Sequence, residues 1–79
     1  MHDARTRERL HRSLSELVEA AGAVMGKSSL VYAAGLRALT TRTPDDTQQF
    51  FRHLDHLNEA DQICIAQRRT MVRYEHWSM

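Results

Sequence analysis

The stretch Ala21-Gly-Ala-Val-Met-Gly-Lys-Ser-Ser-Leu30 decides the fold. Its Gly26-Lys27-Ser28 ending stands one Ala-for-Gly change, at Ala21, from the P-loop pattern, which would demand an α/β protein built around a nucleotide phosphate. A phosphate cradle needs a strand feeding a glycine-rich turn, so that backbone N–H groups and a Lys ammonium converge at the N-terminus of the next helix. The residues ahead of Ala21 do not supply that strand. Leu10, Leu14, Leu17, Val18, Ala21, Val24 and Met25 recur at spacings of three and four, the pattern of an amphipathic helix running straight into the supposed loop. The chain beyond Lys27 is also too short for a parallel sheet. The stretch therefore reads as a helix end, with Gly26 as a C-cap able to take a left-handed conformation and Ser28 or Ser29 capping the helix that follows.

Working outward, helices account for nearly the whole chain. The first runs from about Ala4 to Met25, and Glu8, Arg12 and Glu16 at four-residue steps are expected to pair along its polar face. The second passes through LVYAAGLRAL, apolar nearly all round, which predicts a central, well-covered position with close approach of a neighbour at Ala33, Ala34 and Gly35. The segment TTRTPDD then stops one helix and starts another. Thr43 is an N-cap, Pro44 suits the first helical position, and Asp45 and Asp46 favour the positive helix end.

The third helix is expected to run on to about His76, roughly 50 Å at 1.5 Å per residue, because no Gly or Pro interrupts it. Its apolar stripe of Phe50, Leu54 and Leu57 nevertheless slips onto Asp61, Arg68 and Glu75. The alternative is a break, with Asn58 capping a new helix at Glu59 and Asp61 three residues on, much like a capping box. The expected fold is an all-α bundle of three helices, or four if the last one breaks, with a long C-terminal helix.

At 79 residues the chain is a single domain, and one of this size buries only roughly 60% of the surface its unfolded form exposes. Further stabilisation from a second copy or a partner is expected, since Cys64 is the only cysteine and no intrachain disulfide is available. An unpaired cysteine and an N-terminal MHDARTRERLHR too charged for an export signal point to a reducing, cytoplasmic setting. No apolar run approaches the roughly 20 residues of a membrane span. The formal charge is only +1, so its distribution says more than its sum. Arg5, Arg7, Arg9 and Arg12 crowd one end and Arg68, Arg69 and Arg73 the other, around an acidic middle of Asp45, Asp46, Asp55, Glu59 and Asp61. Exposed pairs between such segments contribute roughly 0–1 kcal/mol each, enough to set register more than stability.

Candidate chemistry is sparse. His53 and His56, three apart with Asp55 between them and His11 on another helix, lack ligands at a spacing specific to a metal and read as solvated side chains. Cys64 lies between Ile63 and Ile65 and reads as an inert core thiol rather than a nucleophile. No paired carboxylates mark a cleft, and neither a cofactor nor catalysis is expected. The segment ELVEAAGAVMGKSSLVYAAGL has the outline of a helix-turn-helix, yet Leu30, Val31, Tyr32, Ala33, Ala34 and Leu36 have almost nothing to hydrogen-bond base edges. A small DNA-contacting regulator with a degenerate motif of this kind is the second reading, since phosphate contact needs only a local basic patch.

The first reading is a non-catalytic protein-interaction module, expected to form a homodimer and to bind another protein. Its candidate contact residues are the basic, aromatic cluster of Arg68, Arg69, Arg73, Tyr74 and Trp77 and the acidic Asp55, Glu59 and Asp61. In size and build alone, the chain is similar to the small inhibitors and adaptors that phages and other mobile elements encode, helical anti-CRISPR proteins and anti-activators among them. Such a protein works by occlusion, covering the surface its target needs.

Overall fold

The structure, a computed structural model, describes the backbone of residues 4–78 and the side chains of residues 4–69. Within them lie α1 (Ala4–Met25), α2 (Leu30–Thr41), α3 (Pro44–Asp55) and α4 (Glu59–Ser78), with no strand among the described residues.

The turn between α1 and α2 shows how local chemistry sets these boundaries. Gly26 takes φ +96°, a conformation that side chains disfavour, and its N–H closes α1 on the Gly22 carbonyl at 2.9 Å. Ser29 is the N-cap of α2: its hydroxyl accepts from the Tyr32 N–H at 3.3 Å and donates to the Gly26 carbonyl at 2.7 Å. The Gly-Lys-Ser stretch therefore joins two helices and cradles nothing.

The α2–α3 corner is tighter still. Arg42 ends α2 in the left-handed region at φ 55°, and Thr43 immediately caps α3, with Pro44 at its start. Thr43 Oγ1 accepts from the Asp46 N–H at 3.3 Å and donates to the Asp46 carboxylate at 3.0 Å. The Thr43 cap and Pro44 start are those expected from TTRTPDD, and the return bond to the Asp46 carboxylate adds to them.

The long third helix is broken. The chain leaves α3 through His56, Leu57 and Asn58, and Asn58 Oδ1 accepts from the Asp61 N–H at 2.8 Å to start α4. Gln62 Nε2 reaches back to the carbonyls of Leu54, Asp55 and Leu57 at 3.2, 3.4 and 2.9 Å, so α3's open C-terminal end is capped from the first turn of α4. The break has a physical cause. Phe50 packs against the core from α3 and Ile65 from α4, and on one straight helix they would stand roughly 22 Å apart along the axis, so the chain must turn between them to bring both to one core.

Helix α1 is the hub, packed against α2 on one side and α4 on the other, while α3 packs on α2. Packing between α3 and α4 is slight. The resulting body measures 35 × 34 × 19 Å, and its thin dimension is less than two helix diameters of roughly 10–12 Å. Its core is correspondingly small: Val18, Ala20 and Ala21 from α1, Val31, Tyr32 and Ala38 from α2, Phe50 from α3 and Ile65 from α4.

Three expectations are corrected by this arrangement. Helix α2 is not covered all round, because α1 and α3 occupy only two of its sides and leave Leu30, Ala33 and Leu36 exposed. Cys64 is exposed rather than a core thiol, since the 100° step of a helix turns it away once Ile65 faces α1. Glu8 forms no pair along α1 with Arg12; it reaches Arg42 of the α2–α3 corner at 3.4 Å.

The three-helix junction centres on Gly35. A Cβ there would lie 2.7 and 2.8 Å from the Val18 methyls and 3.1 Å from Phe50 Cε1, inside contact distance of two fully buried side chains. Gly35→Ala is therefore expected to destabilise the fold by roughly 1–2 kcal/mol, overpacking outweighing the gain in helix propensity. Thermal melting by circular dichroism checks this, and an unchanged or higher Tm would show that the junction has room.

Candidate functional site

Because α3 and α4 hardly touch, an open cleft lies between them, with Leu17 of α1 at its bottom. Its smaller lobe, about 540 Å³, is walled by Phe51, Leu54 and Asp55 of α3 and by Ile65, Ala66 and Arg69 of α4. A larger lobe of about 990 Å³ continues toward the N-terminal half of α1 and the α2–α3 corner. Leu17, Phe51 and Arg69 border both lobes, so the two form one trough.

Adjacent residues on a helix point about 100° apart, and this places the most prominent apolar side chain of the trough. Phe50 is fully buried, so Phe51 is turned out by about 100° and remains 44% exposed, its ring centroid 5.5 Å from that of Phe50. Leu10, in the larger lobe, is 55% exposed. The polar groups of the larger lobe include Arg7, Glu8, His11 and Arg42, of which Glu8 and Arg42 pair with one another. Arg69 is half-buried against this apolar lining and makes no ion pair or hydrogen bond among the described residues.

A second polar cluster borders the larger lobe at the α2–α3 corner. Asp46 accepts from Thr41 Oγ1 at 2.6 Å and from Thr43 Oγ1 at 3.0 Å, and faces Arg37 Nε at 3.4 Å. The Thr41 hydroxyl, the Thr43 hydroxyl and then the Arg37 guanidinium hold the Asp46 carboxyl below its ordinary value. Arg37 is thereby engaged within the fold.

The sequence-predicted contact residues are only partly brought together. Asp55 and Arg69 share the smaller lobe, with Glu59 exposed at the start of α4. Asp61 is half-buried and its backbone N–H serves the Asn58 cap, while Arg68 is exposed and is absent from the lining of either lobe. Arg73, Tyr74 and Trp77 lie outside the described side chains. Phe51, Leu10 and Leu17 are the lining residues that sequence reasoning missed. The Phe50-Phe51 pair was the available signal, since two neighbouring aromatics on a helix point about 100° apart and a narrow apolar stripe takes only one of them. Among the described residues no three metal-binding side chains come together, and no polar or charged residue is buried.

Compared with family models, with curated proteins and with solved structures, the chain finds no match in any of the three.

The corner network carries a pH dependence. A carboxyl held below its unfolded value contributes stability that is complete above that value and is lost as the pH falls through the folded one. The Tm gap between the parent chain and Asp46→Asn is therefore expected to be full at neutral pH and to close as the pH drops below the usual aspartate value of about 4. Melting both chains across that range measures it, and a gap constant into acid would take the carboxylate out of the account.

Proposed function

We propose that the chain is a non-catalytic protein-interaction module that binds another protein through the cleft and acts by occlusion. The observation that carries this reading is an open trough with an apolar floor, Phe51 half exposed over Leu17, in a body whose described core holds no polar group. Catalysis needs positioned acid, base or nucleophile; anchoring a partner needs an aromatic beside a cavity, ringed by groups that hydrogen-bond at the edge. The trough has the second set of features. Arg7 and Arg69 favour a partner that brings carboxylates alongside its apolar anchor. A protein of this build, setting a rigid helical face over a target's working surface, would serve as an inhibitor of the anti-CRISPR or anti-activator kind. Its place of action is the cytoplasm.

The DNA-contacting reading draws less support. The outward face of α2 presents Leu30, Ala33 and Leu36, and Arg37 is held by Asp46. Base edges are read by hydrogen-bonding side chains, which that face lacks. The two readings separate by salt and by nuclease, because binding through several phosphates weakens steeply as salt rises and an apolar interface barely responds.

Tagged protein incubated with nuclease-treated lysate is expected to retain a defined partner protein from about 50 to about 200 mM salt, a range over which multi-phosphate binding loses roughly 10³-fold or more. Phe51→Glu is expected to abolish capture while leaving helical content intact, since the ring is already half exposed. Capture lost with the nucleic acid, or undiminished in Phe51→Glu, would overturn the assignment. In the former case Arg68→Ala with Arg69→Ala becomes the informative variant.

A further inference from the structure

The floor of the larger lobe is one side of α1. Arg7, Leu10, Leu14 and Leu17 follow at spacings of three, four and three, so they form a single stripe along that helix, and all four line the lobe. With Ala4 at its outer end the stripe spans about three and a half turns, roughly 20 Å at 1.5 Å per residue. A cation stands toward each end. Arg7 lies one turn in from Ala4, and Arg69 of α4 borders the lobe beside Leu17 and Phe51, where it meets the smaller lobe. Neither guanidinium has an ion pair or hydrogen bond among the described residues. Arg7, Arg42 and Arg69 line the lobe against one acid, Glu8, which Arg42 already engages.

Resting on the interaction-module reading, we infer that the larger lobe seats an amphipathic, acidic α-helix of the target protein, laid along α1 between α3 and α4. That helix sets apolar side chains at i, i+3 or i+4, and i+7 on Leu10, Leu14, Leu17 and Phe51, and turns carboxylates toward Arg7 and Arg69. Charge, backbone chemistry and shape each select this occupant. An excess of unpaired cations attracts carboxylates and repels a basic segment. The walls are helices whose backbone groups pair largely within themselves, so an extended peptide finds no strand edge to join, whereas a helix brings its own hydrogen bonds and needs only side-chain contact. The lobe is open along one side, and no polar or charged residue is buried among the described residues, so a small amphiphile would lie there half wet and without a group to orient it. Phosphates of a nucleic acid would satisfy the arginines and leave the leucines in water.

The experiment is selection of peptides of about 16 residues, enough helix to cover the stripe, from a random displayed library on the full chain. Affinities of the recovered peptides are read by fluorescence anisotropy at physiological salt. The recovered sequences are expected to repeat apolar residues at helical spacing with Asp and Glu in excess, and to gain helical circular dichroism on binding. Arg7→Glu with Arg69→Glu should weaken them by roughly tenfold or more, and the same peptides with their acids changed to Lys should prefer the reversed chain to the parent. That exchange of preference is a result that a damaged fold does not give. Leu10→Glu, at an exposed position, should abolish binding with unchanged far-ultraviolet circular dichroism. Recovery of basic, proline-rich or aperiodic sequences or of none, binding indifferent to the charge exchange, or displacement of the peptide by equimolar dodecanoate or a short DNA duplex would each overturn the inference. Lysate capture that needs Phe51 but ignores the charge reversal would do so while sparing the interaction reading; peptides of the expected kind beside a lysate that yields no partner would do the reverse.

Discussion

Three helices of this protein meet at a position that has no Cβ. Gly35 lets the Val18 methyls and the Phe50 ring into space that any other side chain would fill, so α1, α2 and α3 close on one another around it. The cost is the weaker helix propensity of glycine, about 1 kcal/mol, set against full burial of a valine and a phenylalanine at about 1.5–3 kcal/mol each. Much else depends on this junction. Phe50 reaches it only because α3 starts where Thr43 and Pro44 start it, and the left-handed turn at Arg42 aims that start. Once Phe50 is committed inward, Phe51 is committed outward, and the cleft acquires its aromatic wall.

The cleft in turn follows from connectivity. The hub α1 has α2 and α4 on its two sides, and α3 follows α2, so the short link through His56, Leu57 and Asn58 brings α3 and α4 near each other without packing them together. Gln62 fastens the corner by its hydrogen bonds to the last carbonyls of α3, which fixes the ends of the two helices and leaves their flanks apart. What opens between them is apolar below and charged at the edge, the arrangement by which protein surfaces anchor partners. The same geometry leaves Arg69 half-buried without a counter-charge among the described residues, a group whose interaction with a carboxylate strengthens when water is excluded.

The starts of α2 and α3 were legible because they are written in short-range chemistry, whereas the start of α4 was read only as the alternative to a third helix running on to His76. Gly26, Ser29, Thr43 with Pro44, and Asn58 with Asp61 each act within four residues, and each cap is found where those residue types stand. Their consequences for packing were less legible. LVYAAGLRAL is apolar all round, and periodicity does not say which of its sides a neighbour covers; Leu30 and Leu36 are left out because α4 goes to α1. Cys64 is exposed for a similar reason, since two isoleucine neighbours say nothing about which of three consecutive residues faces inward. The cleft was the least legible feature, because its lining comes from all four helices and its existence from the slight packing of two of them.

The attachment of α4 bears on how the native state breathes. It packs chiefly on α1, whereas α1, α2 and α3 converge around Gly35, Val18 and Phe50. Undocking α4 leaves that junction intact, so α4 forms a cooperative unit that opens below the free energy of global unfolding. Its amide hydrogens exchange with solvent through that partial opening, ahead of those in α1 and α2. Formation of the native state runs in the opposite order, since α1–α2 and α2–α3 contacts close short loops and the return of α4 to α1 closes the longest one.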